Sequence, residues 1–403
     1  MVIELKCDIL VVGAGPAGAV CASKLSKEGF EVICLDKGSK PGTTHSPKID
    51  ITENKGIEKI IKELKLDYLS KTNKSVWYSP KDKFTFVSSV HDLFFLRGTS
   101  EDSLDYSLFL SMEDNGVDVW FDANPIKLNT AFGKVTSVLV KQKKKTVLIK
   151  PSLVVAATGN DLFFYKKFKV VEENVTKIVG YGALMSNLSM ENKSTNIFFD
   201  SNFAPGGYFF VGKVSNDIGV AMLVANKNKL KKPIKDCYYS FIKQNPELFG
   251  VLLGAEVISS NFGERTISAI DRKVFGNVVF CGDSARTMSP IFAYGLNPAM
   301  RSGYLLAELI KKYGLTENAF KEYASELKKI KNNGLQSKLL RKIYDNLSNE
   351  DFDYLVETAN YLHSKQHLDN LVDSQEYRIE HLIKAILRKP NKILNLAVKL
   401  LKG

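Results

Sequence analysis

Ile9, Leu10, Val11 and Val12 are four apolar residues in a row, which predicts a short strand buried on both faces. From Ala19 to Lys27 the apolar positions Val20, Ala22 and Leu25 mark the inner side of a helix, and Gly29 ends it. Glu31 to Leu35 predicts a second buried strand, closed by Asp36. Ile57, Ile60, Ile61 and Leu64 predict a helix over 56–69. Alternating, aromatic 75–90 predicts a hairpin, 93–97 a strand, 103–115 a helix stopped by Gly116, and 117–121 the strand after it. Residues 134–150 read as two strands joined at Gln142–Lys145, and 153–157 as a buried strand ended by Thr158-Gly159. The texture then changes. Long alternating strands are predicted at 177–188, 195–200, 207–213 and 218–225, with a helix from Pro233 to Gln244, as in an antiparallel sheet that covers a ligand. Val278 to Cys281 is a last buried strand. The chain beyond Leu315 is helical and basic.

The turn between the first strand and helix carries Gly13-Ala14-Gly15-Pro16-Ala17-Gly18, a G-x-G-x-x-G. In such a turn the first glycine permits the bend, the second lets backbone approach a pyrophosphate, and the third lets helix and strand pack closely. The helix N-terminus offers free N–H groups and partial positive charge to phosphate. Asp36 stands where a carboxylate accepts from a ribose hydroxyl. An acid there disfavours NADP, and leaves NAD and FAD both open. No second such fingerprint follows: Gly180-Tyr181-Gly182 lacks the third glycine.

Composition narrows the partners. The 403 residues are 44% hydrophobic and 25% charged, ordinary for a globular protein, and length suggests two or three domains. The net charge of +12 suits an anionic membrane surface or a phosphate-bearing substrate. No RNP, zinc-finger or basic-region motif supports nucleic acid. The five cysteines are scattered with no C-x-x-C, which fits a reducing compartment and no metal site. The first strand begins almost at once, so no signal peptide is expected, and no apolar run reaches the roughly 18 residues of a spanning helix. The expected location is the cytoplasm, with the inner face of the cell membrane as a peripheral site. Residues 378–402 interleave seven lysines and arginines with leucines and isoleucines, broken at Pro390. That pattern suits either a helix lying on anionic lipid or one packed on the body of the protein.

A second signature lies at 277–304. Gly282-Asp283 follows the strand at its C-terminal end, where ligands bind in α/β sheets. Asn297 is the expected N-cap and Pro298 the first-turn proline of the next helix, whose N-terminus can stabilise negative charge.

With both signatures in view, the chain resembles the geranylgeranyl reductase family within the p-hydroxybenzoate-hydroxylase-like flavoproteins. The resemblance rests on G-A-G-P-A-G with Asp36, on Arg97 with Leu104-Asp105, on Ala156-Ala157-Thr158-Gly159, and on Gly282-Asp283-Ser284-Ala285-Arg286 with Pro290 and Gly295. Ala204-Pro205-Gly206-Gly207-Tyr208 is similar to the prenyl reductases' A-P-x-G-Y motif, with Phe210 at its tryptophan and Gly212-Lys213 at its F-P pair. The flavin-loop cysteine of the family is absent from 43–47, and its triple glycine is Ala293-Tyr294-Gly295 here.

The resemblance implies an α/β fold: a Rossmann-like FAD-binding domain of the p-hydroxybenzoate-hydroxylase type, an inserted antiparallel β-sheet substrate domain and a helical C-terminal region. The domains are expected at 1–70, 95–165 and 271–315 for FAD, 71–94 and 166–270 for substrate, and 316–403 for the helices. It implies FAD on Gly13, Ala14, Gly15, Pro16, Ala17, Gly18, Asp36, Lys37, Arg97, Thr158, Gly159, Gly282, Asp283, Gly295, Leu296 and Asn297. Tyr181, Tyr208 and Phe210 are expected at a polyprenyl substrate, and His45 and Tyr294 at the reacting centre. The implied activity is FAD-dependent reduction of carbon–carbon double bonds in geranylgeranyl chains. The electron donor stays open between reduced nicotinamide, ferredoxin and a quinol. Two other functions remain: an FAD monooxygenase or halogenase, though no W-x-W-x-I-P is present, and a non-catalytic flavin- or prenyl-lipid-binding protein.

Overall fold

The first strand, β1 (Ile3–Val12), runs into the glycine turn and α1 (Pro16–Lys27), and the chain returns as β2 (Val32–Leu35) beside it. The pairing is parallel, with Ile9 opposite Val32 and Val12 opposite Leu35. This is a computed structural model. It describes residues 3–44, 47–330 and 335–364; His45 and the basic segment 378–402 lie outside them.

In chain order there follow β3 (Lys48–Glu53), α2 (Glu58–Glu63), β4 (Ser70–Tyr78), β5 (Lys83–Arg97), α3 (Leu104–Asp114) and β6 (Asp118–Trp120). Next are β7 (Ala123–Ala131), β8 (Lys134–Gln142), β9 (Lys145–Ala156), α4 (Phe163–Phe168), β10 (Glu172–Ser186), β11 (Ser194–Phe198), β12 (Tyr208–Lys213) and β13 (Gly219–Asn226). The rest is α5 (Ile234–Gln244), α6 (Pro246–Leu252), β14 (Glu256–Ile270), β15 (Val274–Phe275), β16 (Val278–Phe280), α7 (Leu296–Tyr313), α8 (Glu317–Ile330), α9 (Leu335–Asp345) and α10 (Asn349–Ser364).

Two eight-stranded sheets organise these elements. The first has the order β15-β16-β9-β1-β2-β6, with β8 and β7 joined through β9. Its centre is parallel, and the C-terminal ends of β1 and β9 (Ile9–Val12 and Leu153–Ala156) and all of β16 are buried, as expected where a sheet is covered on both faces. The second sheet, β14-β10-β13-β12-β11-β4-β5-β3, is antiparallel except where β11 runs parallel to β4. The architecture is therefore the Rossmann-like α/β fold with a second sheet and a helical C-terminal part.

Three details differ from the sequence reading. The helix expected over 56–69 is only α2, because Lys65 adopts a left-handed conformation (φ 51°) and the Leu66 N–H turns back to the Ile61 carbonyl. The expected strand at 93–97 is the end of one long strand, β5. The second sheet also takes in Lys48–Glu53, since β3 pairs with β5, so this piece of the 1–70 span belongs to the second sheet.

Candidate active site

The glycine turn is built by close contact. A Cβ on Gly13 (φ +108°) would lie 2.3 Å from the Ala157 carbonyl oxygen at the end of β9, and one on Gly18 would lie 1.9 Å from the Gly13 carbonyl oxygen. Gly15 is different: its Cβ position is open, with nothing within 4 Å. Two of these glycines serve packing, and the third faces free space at the N-terminus of α1. Asp36, at the end of β2, accepts from the Ala14 N–H (3.0 Å) and the Gly38 N–H (2.7 Å). Burial pushes its carboxyl up, and those two N–H groups pull it back down.

From this turn a cavity of about 940 Å³ runs between the two sheets, at the upper end of small-molecule sites. Gly13, Ala14, Gly15, Pro16 and Ala17 line it, as do Asp36, Lys37, Arg97, Thr158 and Gly159. Asp283, Tyr294, Gly295 and Leu296 close it from the second signature, and Tyr208 and Phe210 line its apolar end. Elements far apart in sequence thus bring most of the expected site residues to one space.

The remaining expected residues stand elsewhere. Gly18 is buried in the helix–strand contact. Gly282 (φ +64°) packs against Ala17, whose Cβ would be 2.7 Å from a side chain there. Asn297 is not the helix cap: Gly295 holds the N-cap position without a side chain to fill it, and the Asn297 amide donates to the Glu53 and Lys55 carbonyls at 2.9 Å each, tying α7 to the end of β3. Tyr181 is on the opposite face of its sheet. Strand side chains alternate, so Ile178, Gly180, Gly182 and Leu184 of β10 line the cavity while Tyr181 packs on Tyr238 of α5, ring centroids 5.1 Å apart.

Two charged clusters flank the space. Arg97 is buried, and its guanidinium forks onto Asp105 (2.9 and 2.7 Å) and reaches Asp50 at 2.7 Å. Burial opposes its charge, but the two facing carboxylates hold it protonated above the ordinary arginine range. Most of its donors are therefore spent on protein, so Arg97 braces the cavity wall. Asp283 behaves otherwise. Its Oδ1 is buried with no hydrogen-bond partner. Burial pushes its carboxyl up, with Arg265, Arg286 and Arg97 pulling against that. A buried carboxylate oxygen without a partner, lining a cavity, is what a ligand hydroxyl satisfies.

Sequence reasoning missed Arg341 and Asp345 on α9. The buried Arg341 donates from Nη1 to the Pro290 and Ile291 carbonyls, 3.1 Å each, and from Nη2 to the Gly206 carbonyl and to Asp345. Tyr344 Oη donates to the Gly207 carbonyl at 3.0 Å. The C-terminal helices therefore clamp both the Ala204–Gly207 turn and the 290–292 loop. From β12, Tyr208 Oη donates to the Phe292 carbonyl of that loop (2.7 Å), and the Phe292 and Tyr294 rings stack at 5.3 Å. The only sequence trace of the clamp is an Arg and an Asp four apart, which by itself reads as a surface helix pair.

Residues 11–71 match the family model of an NAD(P)-binding Rossmann-like domain. Over nearly its whole length the chain is similar to named reductases. It is 24% identical to digeranylgeranylglycerophospholipid reductase 3 of Methanosphaera stadtmanae, over 88% of this chain and 91% of that one. It is 22% identical to digeranylgeranylglycerophospholipid reductase of Picrophilus torridus, over 96% and 97%. The chain resembles the digeranylgeranylglycerophospholipid reductases. Among solved structures, a geranylgeranyl bacteriochlorophyll reductase-like protein of Thermoplasma acidophilum matches with a TM-score of 0.81 at 20% identity, over 98% of this chain and all of that one. The p-nitrophenol 4-monooxygenase of Pseudomonas putida matches with a TM-score of 0.68 at 14% identity, over 90% and 97%. These two place the fold beside the p-hydroxybenzoate-hydroxylase-type proteins.

Proposed function

We propose that this protein is an FAD-dependent reductase of carbon–carbon double bonds in geranylgeranyl or other polyprenyl chains of membrane lipids or their precursors. The observation that carries the reading is one continuous cavity with a phosphate-binding turn at one end and an apolar wall at the other. The full-length likeness to named lipid reductases supplies the substrate class.

The residues present fit FAD. Gly15 leaves room at a helix N-terminus for a pyrophosphate, Asp36 has acceptor capacity for a ribose hydroxyl, and Asp283 offers an unpartnered oxygen to a hydroxyl further along the cofactor. When bound and reduced by the electron donor, FAD would supply the hydride that an isolated double bond requires. The protein does the rest. The N-terminus of α7, at Gly295 and Leu296, presents uncapped N–H groups and positive dipole to negative charge in the cavity. Ile178, Leu184, Val220, Val224 and Phe210 exclude water around an apolar chain. Gly180 and Gly182 bear no side chains, so the chain can lie close to the sheet. Tyr294 is the group we assign to proton delivery at the second carbon, because it lines the cavity beside α7 and carries a hydroxyl. His45 holds the same assignment from sequence.

The test is anaerobic. The purified, FAD-loaded protein is reduced with dithionite, given a geranylgeranyl lipid, and followed by flavin absorbance and lipid mass. Reoxidation coupled to a gain of two hydrogens per reduced double bond is expected. Flavin that stays reduced with lipid mass unchanged would overturn the proposal.

A further inference from the structure

Three arginines pull on the buried carboxyl of Asp283: Arg265, Arg286 and Arg97. Arg97 is spent on Asp105 and Asp50. Arg286 is buried and spent as well, donating from Nε to Glu172 at 2.8 Å and from Nη1 to the Asn160 side-chain oxygen and the Asp283 carbonyl at 3.1 Å each. Arg265 is half-buried and differs from both. Its Nη1 donates to the Glu264 carbonyl at 3.0 Å, and among the described residues it forms no ion pair. The adjacent Glu264 carboxylate faces the other side of β14, where Lys227 (2.6 Å) and Lys177 (3.6 Å) take it. A guanidinium carries five N–H donors, so most of those on Arg265 are open.

Strand phase puts these donors in the cavity. Across β10 and β14, Arg265 is the register partner of Ile178, Gly263 of Gly180, and Asn261 of Gly182. Paired residues share a face of the sheet, and all of these line the cavity. The guanidinium lies along that face: Nη1 is 4.0 Å from where a Cβ on Gly263 would stand, and nothing else comes within 4 Å of that point. Gly180, Gly182 and Gly263 thus form a strip of bare backbone with Arg265 at one end. At the other end the Asn261 amide is committed to the Pro47 carbonyl at 3.0 Å.

A cation held out of bulk water without a carboxylate is costly until an anion meets it. The planar fork of arginine matches phosphate oxygens, two parallel N–H groups at a time. The pyrophosphate of FAD has its place on the first sheet, at Gly15 and the N-terminus of α1. Arg265 belongs to the second sheet, beside the glycine strip on which the prenyl chain can lie.

We infer that Arg265 holds the phosphate of a phosphate-bearing prenyl lipid, fixing the charged head at one end of the glycine strip. Arg265 would then set two things: preference for phosphorylated over uncharged prenyl compounds, and which stretch of the chain reaches the reacting centre. The inference deepens the lipid-reductase reading and rests on it for the prenyl chain.

The experiment uses the FAD-loaded full chain in detergent micelles. Binding of geranylgeranyl phosphate and of geranylgeraniol is followed by the change in flavin absorbance for wild type, Arg265→Gln and Arg265→Lys. The wild type is expected to prefer the phosphate. That preference should fall about tenfold or more in Arg265→Gln, from the loss of charge-assisted hydrogen bonds, and survive in part in Arg265→Lys, which keeps the charge without the fork. A wild type without the preference would overturn the inference, whatever the stability of the variants, and so would a preference kept in full by Arg265→Gln. FAD affinity that falls in Arg265→Gln while the lipid preference stays would give the phosphate at Arg265 to the cofactor and overturn the lipid assignment. Lipid mass after anaerobic reduction with dithionite separates the two readings. A phosphate preference lost with Arg265, in a protein that adds no hydrogen to either lipid, would support the role of Arg265 and overturn the reductase reading.

Discussion

Replacing Gly15 with Ala separates cofactor binding from folding. Gly15 has φ −70° and ψ −179°, extended backbone that any residue adopts, and its Cβ would meet nothing within 4 Å. Alanine restricts the unfolded chain, a gain of about 0.4–1 kcal/mol. It is a poorer N-cap than glycine by roughly the same amount. The two nearly cancel, so the apoprotein's stability should stay within about 0.5 kcal/mol of wild type. On the proposed reading the added methyl instead enters the space where the pyrophosphate would lie. If it displaces two charge-assisted hydrogen bonds, at about 1.5–3 kcal/mol each, FAD affinity falls by at least about 3 kcal/mol, on the order of a hundredfold in Kd. Urea unfolding of the apoprotein reads the first quantity, and quenching of flavin fluorescence on titration reads the second. Gly18→Ala is the contrast: its Cβ would sit 1.9 Å from the Gly13 carbonyl oxygen, so folding itself should fail or weaken sharply. A Gly15→Ala protein that binds FAD as tightly as wild type would refute the reasoning, because the pyrophosphate would then not lie at this helix N-terminus.

Two further outcomes are expected. Burial raises the folded pKa of Asp283 above its unfolded value, so the folded state keeps a proton that the unfolded chain releases. The stability of the apoprotein should therefore decline as pH rises from about 3.9 through the folded pKa, and Asp283→Asn should abolish that decline; urea midpoints that fall equally in both proteins across this window would argue against it. Arg341→Leu leaves the Gly206, Pro290 and Ile291 carbonyls and Asp345 without their shared donor, at a cost of about 3–5 kcal/mol, and Arg341→Lys should recover only part because an ammonium lacks the planar fork. Unfolding of Arg341→Leu at the wild-type urea midpoint would show that α9 does not brace the site.

Local units could be read from the chain alone. The apolar run at 9–12, the glycines after it and Asp36 are consecutive pieces of one strand–turn–helix–strand unit, so short-range pattern was enough to place them. The helix expected over 103–115 is α3, and the structure adds that the Ser103 side chain caps it by accepting from the Tyr106 N–H. The Arg97–Asp105 pair was legible too, as two members of one motif that the structure joins in a bidentate bridge. Direction and partnership over long distances in the chain came from the folded arrangement. Which face of β10 Tyr181 occupies depends on strand phase, where one residue reverses every side chain. Whether Asn297 caps its own helix or ties down β3 depends on a strand more than 240 residues away, and the sheet to which β3 belongs depends on pairing with β5. Arg341 shows the limit most clearly: its three carbonyl partners come from two separate loops, and backbone carbonyls leave no residue-specific mark in a sequence.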